Sequence, residues 1–221
     1  MKDIHGRQNI MHNKLLSKQL YEETKVSHEQ VENRAFIIRL KEQKLSQSDY
    51  VQHLVDLKNI YKALENGMRA NINIPAINDL YDEKLCRTPY LEKDIESFHA
   101  MDIKPTKMAL EYVRHLQDLS EHTPLLLLAH AYVRYMGDLS GGRMMKKYVE
   151  VSYPGDHQAF YDFDNLLGKN AVGAKFVEYK NLWKERLDTL ELADKDKTAL
   201  IQEAVKGFEF TGMMYDAYER N

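Results

Sequence analysis

Residues 132–143 of this 221-residue chain combine glycines with an arginine and an aspartate at helical spacing. The segment follows an apolar run and should continue a buried helix, yet it contains three glycines, each costing about 1 kcal/mol relative to alanine in a helix interior. Arg134, Gly137, Asp138 and Gly141 are separated by steps of three, one and three, which places them on one helix face. That face offers bare backbone between a cation and a carboxylate, so a flat ligand can approach it closely.

Structural explanations fit the same spacing. The glycines can mark a helix kink or a tight helix crossing, and Arg134 and Asp138 can form an i,i+4 ion pair. A phosphate-binding loop is disfavoured, because no strand precedes the glycines and the G-x-x-x-x-G-K-[ST] spacing is absent.

His28 is the second candidate for chemistry, since a neutral imidazole is a common metal ligand. It lies within an apolar helical stripe, with Tyr21 and Lys25 on the adjoining edge. A buried core histidine is the alternative interpretation of the same pattern. Lys180 and Lys184, four residues apart, can bind an anion together or simply form a solvated face.

Helical spacing dominates the elements that must position these residues. One stripe runs through Leu20, Thr24, His28, Val31, Ala35 and Ile38. Ser46 with Asp49 predicts a capping box, Thr106 predicts a cap, and Thr88-Pro89 and Thr123-Pro124 each predict a capping hydroxyl before a first-turn proline. No stretch alternates with the period of a strand. We therefore predict an all-α, single-domain bundle of seven or eight helices.

Composition excludes several classes of protein. Hydrophobic residues make up 43% and charged residues 29%, values too apolar for a disordered chain. A net charge of -3 disfavours a nucleic-acid binder. The longest apolar run, residues 125–129, is too short to cross a bilayer, and the lone Cys86 fits a reducing cytoplasm. We expect no secretory signal, a flexible N-terminal extension over residues 1–14 and one domain over residues 15–221.

Four segments resemble the heme oxygenase family, specifically its soluble, microbial, biliverdin-producing type. Residues 129–142 read A-H-A-Y-V-R-Y-M-G-D-L-S-G-G, similar to the family signature A-H-[AS]-Y-[TV]-R-Y-L-G-D-L-S-G-G. Residues 24–33 resemble the segment that carries the proximal histidine, T-K-x-x-H-x-x-A-E-N. Residues 60–65 and 182–187 also match, and the resemblance extends from about residue 15 to residue 219.

The resemblance implies a heme-degrading monooxygenase that cleaves heme at a meso carbon, the α carbon by expectation, to biliverdin, CO and ferrous iron. Heme b would be both substrate and cofactor, sandwiched between the His28 helix and the Gly-kinked helix. His28 would bind the iron, and a neutral imidazole donates less electron density to it than a cysteine thiolate does. The expected catalytic residues are Asp138, Tyr61 and Arg134. The expected heme-binding residues are His28, Lys25, Tyr21, Glu32, Tyr132, Gly137, Ser140, Gly141, Gly142, Lys180 and Lys184.

Within that resemblance, Asp138 would hold an ordered water, with Tyr61 and Arg134 as partners in the network. Lys25, Tyr132, Lys180 and Lys184 would meet the heme propionates and fix the rotation of the ring. The sequence departs from the family at Tyr21, where Lys or Arg is common, and at Thr211, where Asn is common.

Other functions remain open from the sequence. A non-catalytic heme carrier or sensor can share the fold, whereas a di-iron bundle is disfavoured because only residues 96–99 supply a Glu-x-x-His motif. No dinucleotide or flavin fingerprint is present, so the resemblance implies an external electron donor: a ferredoxin, a flavodoxin or an NADPH-dependent flavoprotein reductase. It also suggests a downstream bilin reductase and a cytoplasmic monomer without nucleic-acid or membrane partners. We expect His53 and His115 at the surface and His130 in a structural role.

Overall fold

The computed structural model describes residues 14–169 and 171–219, and this part of the chain is helical without any strand. The predicted flexible extension therefore lies, apart from residue 14, outside the described residues. The α-helices are α1 (Leu16–Glu32), α2 (Ala35–Lys41), α3 (Gln47–Ala70), α4 (Pro75–Leu80), α5 (Thr88–Ser97), α6 (Lys107–His122), α7 (Leu127–Ala131), α8 (Gly137–Ser152), α9 (Asp164–Leu167), α10 (Gly173–Asp188) and α11 (Asp194–Tyr218). Short 3₁₀ turns cover Glu83–Leu85, Pro124–Leu126 and Ala159–Tyr161.

The all-α, single-domain prediction is confirmed. The structure contains more helices than the seven or eight predicted because it also has several short ones. Seven of the helices within the described ranges have ten or more residues, as expected, and α2, α4, α7 and α9 are shorter. Among these helices, none is both long and apolar enough to cross a membrane.

The predicted stripe from Leu20 to Ile38 is interrupted between α1 and α2. Asn33 ends α1, and its side-chain amide donates a hydrogen bond of 2.8 Å to the Glu29 carbonyl. The chain then restarts as α2 after an extended residue, Arg34, and Ile38 is 41% exposed. The pattern was wrong there because a side-chain cap outweighs continued apolar periodicity.

Two of the four predicted caps form. The hydroxyls of Ser46 and Thr106 accept from the backbone N–H groups of Asp49 and Ala109. Thr88 and Thr123 do not cap. Thr88 is already inside α5, and its hydroxyl donates to the Glu65 carboxylate at 2.6 Å instead.

Helix α3 forms the centre of the bundle, packed against α5 and α6, while α11 packs against α1 and α7. On the other flank α10 packs against α1 and α8, and α8 also meets α2. Because α1, α8, α10 and α11 are brought around one space, residues from distant parts of the sequence share a cleft.

A π-helical turn, Tyr132–Met136, connects α7 to α8. The predicted break in helical regularity therefore takes the form of one widened turn immediately before Gly137. Widened turns of this kind frequently accompany functional sites, since they re-aim the residues that follow.

Several carboxylates are buried in the bundle and accept hydrogen bonds from the protein, among them Asp56, Glu65 and Asp94. Asp56 accepts from the backbone and hydroxyl of Thr106 at 2.8 and 2.7 Å and from Tyr218 at 2.9 Å. Glu65 accepts from Arg87 N–H at 2.6 Å, as well as from Thr88. Asp94 accepts from two backbone N–H groups of the turn at residues 159–160. These groups join separate helices.

Candidate heme-binding cleft

The cleft lies between α1, the start of α8, α10 and α11, and it has two adjoining halves. The aspartate half, with about 880 Å³ of space between atoms, contains Asp138 and Arg134. The lysine half, with about 950 Å³, contains Lys25, Lys180 and Lys184. Both halves share His28, Glu32, Val133, Gly137 and Phe208, so they form one continuous space.

His28 faces this space from α1. Its side chain is 48% exposed, and Nε2 lies 3.9 Å from a carboxylate oxygen of Glu32, one turn later. The Phe208 ring meets the imidazole edge-on at 5.5 Å. A histidine buried in the core would instead have its nitrogens satisfied by the protein. The geometry therefore disfavours the core interpretation and leaves the imidazole available to a ligand.

Two of the three glycines of α8, Gly137 and Gly141, face open space rather than a neighbouring helix. A Cβ atom placed at Gly137 or Gly141 would meet no other atom within 4 Å. A Cβ at Gly142 would contact the Tyr161 ring at 3.4 Å, so that residue is in ordinary packing contact. A tight helix crossing would crowd the missing side chains, and at residues 137 and 141 nothing does. Bare backbone at these two positions therefore borders the cleft.

Asp138 and Tyr61 are directly joined, because the Tyr61 hydroxyl donates a hydrogen bond to the Asp138 carboxylate. Burial raises the pKa of Asp138 to about 6, against the opposing hydrogen bond from Tyr61 and the positive charge of Arg134. A carboxyl with a pKa in this range can hold or release a proton near neutral pH.

Arg134 lines the same half without pairing with Asp138. Its guanidinium Nη2 donates to the Thr211 hydroxyl, which in turn donates to the Gly207 carbonyl at 2.8 Å. Among the described residues Arg134 forms no ion pair, so the i,i+4 alternative is wrong. The helical face is shared as predicted, and Arg134 reaches Thr211 rather than Asp138.

The lysine half has three lysines against two glutamates, Glu29 and Glu32, and is therefore net positive. Lys180 Nζ donates to the Ser140 hydroxyl at 3.0 Å. Burial, followed by the nearby charge of Lys184, lowers the pKa of Lys180. Within the described ranges neither lysine has a carboxylate partner, and Lys25 only approaches Glu29 at 4.0 Å. Such a cluster favours a bound anion.

The eleven residues expected to bind heme all line the cleft. Beyond those already located, Tyr21, Tyr132 and Ser140 border the lysine half. A flat, dianionic metal porphyrin needs an accessible imidazole, a bare surface for its face and cations for its carboxylates. His28, the backbone at Gly137 and Gly141, and the three lysines supply these features, so the residues present fit heme.

Several residues of the aspartate half were not predicted for the site, and the polar ones include His53, Tyr161, Thr211 and Tyr215. His53 was expected at the surface, and this was wrong. It is 4% exposed, its Nδ1 has no hydrogen-bond partner, and its ring packs 4.7 Å from that of Phe36. Its position eight residues before Tyr61, on the buried face of α3, was the signal that could have revealed it.

Comparisons with known proteins agree with this geometry. The sequence model of the family described as heme oxygenase matches residues 14–217. The chain is 34% identical to heme oxygenase 1 of Bos taurus over 202 residues, covering 87% of this chain and 68% of that protein. It is 31% identical to heme oxygenase of the alga Guillardia theta over 211 residues, covering 92% and 86%. The crystal structure of heme oxygenase-1 from the cyanobacterium Synechocystis in complex with heme is similar with a TM-score of 0.86 at 26% identity, over 94% of each chain.

Proposed function

The chain belongs to the heme oxygenase family, as an enzyme of that family, and we propose that it binds heme b in the cleft and cleaves it to biliverdin, CO and ferrous iron. The observation that carries the proposal is the pairing of an accessible imidazole, His28, with side-chain-free backbone at Gly137 and Gly141. When bound, heme supplies the iron that activates dioxygen and the ring that is oxidised.

His28 is the proposed iron ligand. Its position on α1 directs the imidazole into the space shared by both halves of the cleft, and Phe208 limits the orientations of the ring through its edge contact. Glu32, one turn along the helix, is close enough to orient the imidazole through a modest adjustment of either side chain. An oriented, neutral imidazole is the usual form of a histidine ligand.

Lys25, Lys180 and Lys184 are the proposed anchors for the two propionates. Opposite charge in a partly desolvated cleft is worth more than at a free surface, because the solvent screens it less. Tyr132 and the exposed phenol of Tyr21 border the same half and can add hydrogen bonds. Anchoring both carboxylates fixes the rotation of the ring, so it determines which meso carbon faces the aspartate half. We propose the α carbon.

Asp138 is the proposed proton-handling residue. The Tyr61 hydroxyl holds the carboxylate in place through a hydrogen bond. The raised pKa of Asp138 lets the carboxyl keep a proton close to neutral pH. Arg134, tied to Thr211, stays buried beside it and contributes charge without neutralising the carboxylate in an ion pair. The side chains therefore surround a polar space in which an ordered water can be held and can relay a proton from Asp138. The glycines keep side chains out of that space.

Single turnover of the purified chain tests the proposal. Hemin is bound, reduced without oxygen, and then exposed to air in the presence of excess ascorbate as the continuing electron source while the Soret band is followed, and the products are then separated by chromatography. We expect loss of the Soret band with formation of α-biliverdin. A stable oxygenated or ferric spectrum would identify a carrier or sensor instead, and another isomer would contradict the proposed ring orientation.

Two variants assign the residues. His28→Ala should abolish the histidine-type spectrum of the hemin complex, and an unchanged spectrum would remove His28 as the ligand. Asp138→Ala should still bind hemin but divert turnover toward peroxidase-like oxidation, slowing biliverdin formation about 100-fold or more, within the usual range for lost acid–base catalysis. Normal yield from Asp138→Ala would contradict its role.

The remaining partners follow from this chemistry. We propose that the electrons come from a ferredoxin, a flavodoxin or an NADPH-dependent flavoprotein reductase, that a bilin reductase can consume the product, and that the enzyme acts as a cytoplasmic monomer. Comparing the three donor classes at equal concentration, by rate of biliverdin formation, identifies the donor.

A further inference from the structure

Outside the cleft, two histidines and a glutamate from three helices converge on one point. The Nε2 atoms of His115 in α6 and His130 in α7 lie 2.5 and 3.0 Å from the same carboxylate oxygen of Glu203 in α11. The three ligand atoms all lie within 4.8 Å of one another. His115 was expected at the surface and is instead partly buried here. We propose that this cluster, the His–His–Glu site, binds a divalent transition-metal ion of the Zn²⁺ class.

The donor set suits that ion. Two imidazole nitrogens and one carboxylate oxygen, with water as the fourth ligand, are a known tetrahedral zinc set. Tetrahedral geometry with bonds near 2 Å separates ligand atoms by about 3.3 Å. The two contacts at 2.5 and 3.0 Å therefore need to open by less than about 1 Å. His115 can make that movement, because its side chain is 22% exposed while those of His130 and Glu203 are 0% and 4% exposed.

The protonation states also allow binding. Glu203 can only accept hydrogen bonds when ionised, so both Nε2 atoms carry hydrogen in the metal-free form. Metal binding then requires each ring to release its Nε2 hydrogen, which a move of the ring proton to Nδ1 allows.

The surroundings of His130 are prepared for that change. Its Nδ1 lies 2.8 Å from the Tyr112 hydroxyl. This hydroxyl donates to Nδ1 in the metal-free form and can accept from Nδ1–H when a metal occupies the opposite nitrogen. A hydrogen-bond partner on the second ring nitrogen is the usual companion of a metal-bound histidine.

Lys206 should weaken metal binding, so its removal should strengthen it. Its Nζ lies 3.1 Å from the second oxygen of Glu203, and its side chain is 54% exposed. The lysine therefore leaves only one carboxylate oxygen for the metal and repels the incoming cation. Because it is exposed, it can swing into solvent on binding.

Titration of the full-length, heme-free, chelator-treated chain tests the site. Zn²⁺ is followed by calorimetry and Co²⁺ by its visible d–d absorption, which is intense only in tetrahedral sites. We expect this absorption in the unmodified chain. His115→Ala should weaken Zn²⁺ binding at this site about 100-fold or more, beyond the 10–100-fold range of changes around the ligands. His115→Cys should restore it, since a thiolate also binds Zn²⁺.

The matched control is His122→Ala, because His122 lies in the same helix, is exposed and is paired with Asp118. His122→Ala should bind Zn²⁺ and Co²⁺ as the unmodified chain does. A loss of binding seen only in His115→Ala then belongs to the His–His–Glu site and not to His28 or another histidine. Lys206→Gln should bind severalfold more tightly. Anaerobic competition of Fe²⁺ against Co²⁺ then shows whether iron also occupies the site.

The outcomes separate this proposal from the proposed function. Equal metal binding by His115→Ala and the unmodified chain, or no tetrahedral Co²⁺ spectrum, would reduce the cluster to a hydrogen-bonded network and overturn the site. Hemin binding and turnover use the cleft and are measured on the same variants, so either result stands independently.

Discussion

Polar groups in the helical bundle and in the cleft differ in whether the protein supplies their partners. Glu65 and Asp94 are buried and accept hydrogen bonds from several protein groups each. In the cleft, His28 is half exposed, and Lys180 and Lys184 have no acidic partner among the described residues. The buried carboxylates have their hydrogen bonds satisfied by the protein, whereas the side chains in the cleft remain available to a ligand.

The glycines show the same contrast. A Cβ at Gly67 would meet Leu127 at 3.1 Å and Ser120 at 3.2 Å, so that glycine permits close packing of α3 against its neighbours. A Cβ at Gly141 would meet nothing. A residue type alone therefore does not distinguish a structural position from a binding position, but its surroundings do. Substitutions in the two regions should accordingly separate stability from heme affinity.

The largest effect is expected in the bundle, for Arg87→Met. Arg87 is fully buried and donates to the carbonyls of Lys84, Leu85, Cys86 and Asp162. Its loss strands these acceptors and removes the cation near Glu65, so the free energy of unfolding should fall by roughly 3–5 kcal/mol. Urea denaturation measures this fall, and hemin affinity of the folded protein should not change.

Arg69→Met is the matched control for that prediction. Arg69 pairs with Glu83 at 3.0 Å, but both side chains are about half exposed or more. Exposed pairs contribute about 0–1 kcal/mol, so this variant should be nearly neutral. Equal destabilisation by the two arginine variants would remove the distinction between buried and exposed partners.

The second effect is expected in the cleft, for Gly141→Leu. The new side chain occupies the space proposed for heme, so hemin affinity should fall about 100-fold, or about 2.7 kcal/mol. The unfolding free energy should hold steady or rise, since leucine favours the helix. Titration at the Soret band and urea denaturation measure the two quantities.

Gly67→Ala should give the reverse result, with overpacking costing roughly 1–3 kcal/mol of stability and hemin affinity unchanged. If Gly141→Leu bound hemin normally, the bare backbone of α8 would not be the surface that meets the ring.

The third effect is a pH dependence at Asp138. Its folded-state pKa of about 6 is above the ordinary aspartate value, so the folded state disfavours the charged form. At pH 4 the carboxyl is neutral in the folded state and about half ionised in the unfolded state, so Asp138→Asn should nearly match the unmodified heme-free chain. As the pH rises to 7, the unmodified chain should lose roughly 2 kcal/mol relative to the variant. Urea denaturation at pH 4 and pH 7 checks this, and a difference that does not vary with pH would contradict it.

The smallest effect is expected for Lys180→Ala and Lys184→Ala. Each should weaken hemin binding about threefold to tenfold, near 1 kcal/mol, because one of several cations is removed from a partly exposed site. Added salt should shrink the difference through screening. Lys62→Ala, an exposed substitution in α3, is the control and should leave hemin binding unaltered. Losses that do not depend on salt would mean that the lysines act through packing.

Features that depend on the periodicity of a single helical segment were predicted correctly from the sequence. The shared face of Arg134, Gly137, Asp138 and Gly141 requires only helical periodicity, and these residues do line one cleft. Sequence reasoning was wrong at Ile38, where the Asn33 cap ends the helix early. It also misplaced His53, because a single polar residue on an apolar face gives no indication of the rings that will surround it.

Hydrogen-bond partners that lie in different helices could not be predicted from the sequence. The hydroxyl of Thr211 meets Arg134 over 77 positions, and Glu203 meets His115 over 88. Such pairs depend on how helices cross, and crossing is decided by packing of whole surfaces rather than by spacing within one segment.

The sequence by itself determined the helices, the candidate residues and the resemblance to one family, since helical periodicity and short motifs are local properties of the chain. Only the tertiary structure decided whether a glycine adjoins a neighbour or empty space, and whether a charge has a protein partner. The physical reason is that burial and pairing are properties of the assembled surfaces, which arise when residues far apart in the chain are brought together.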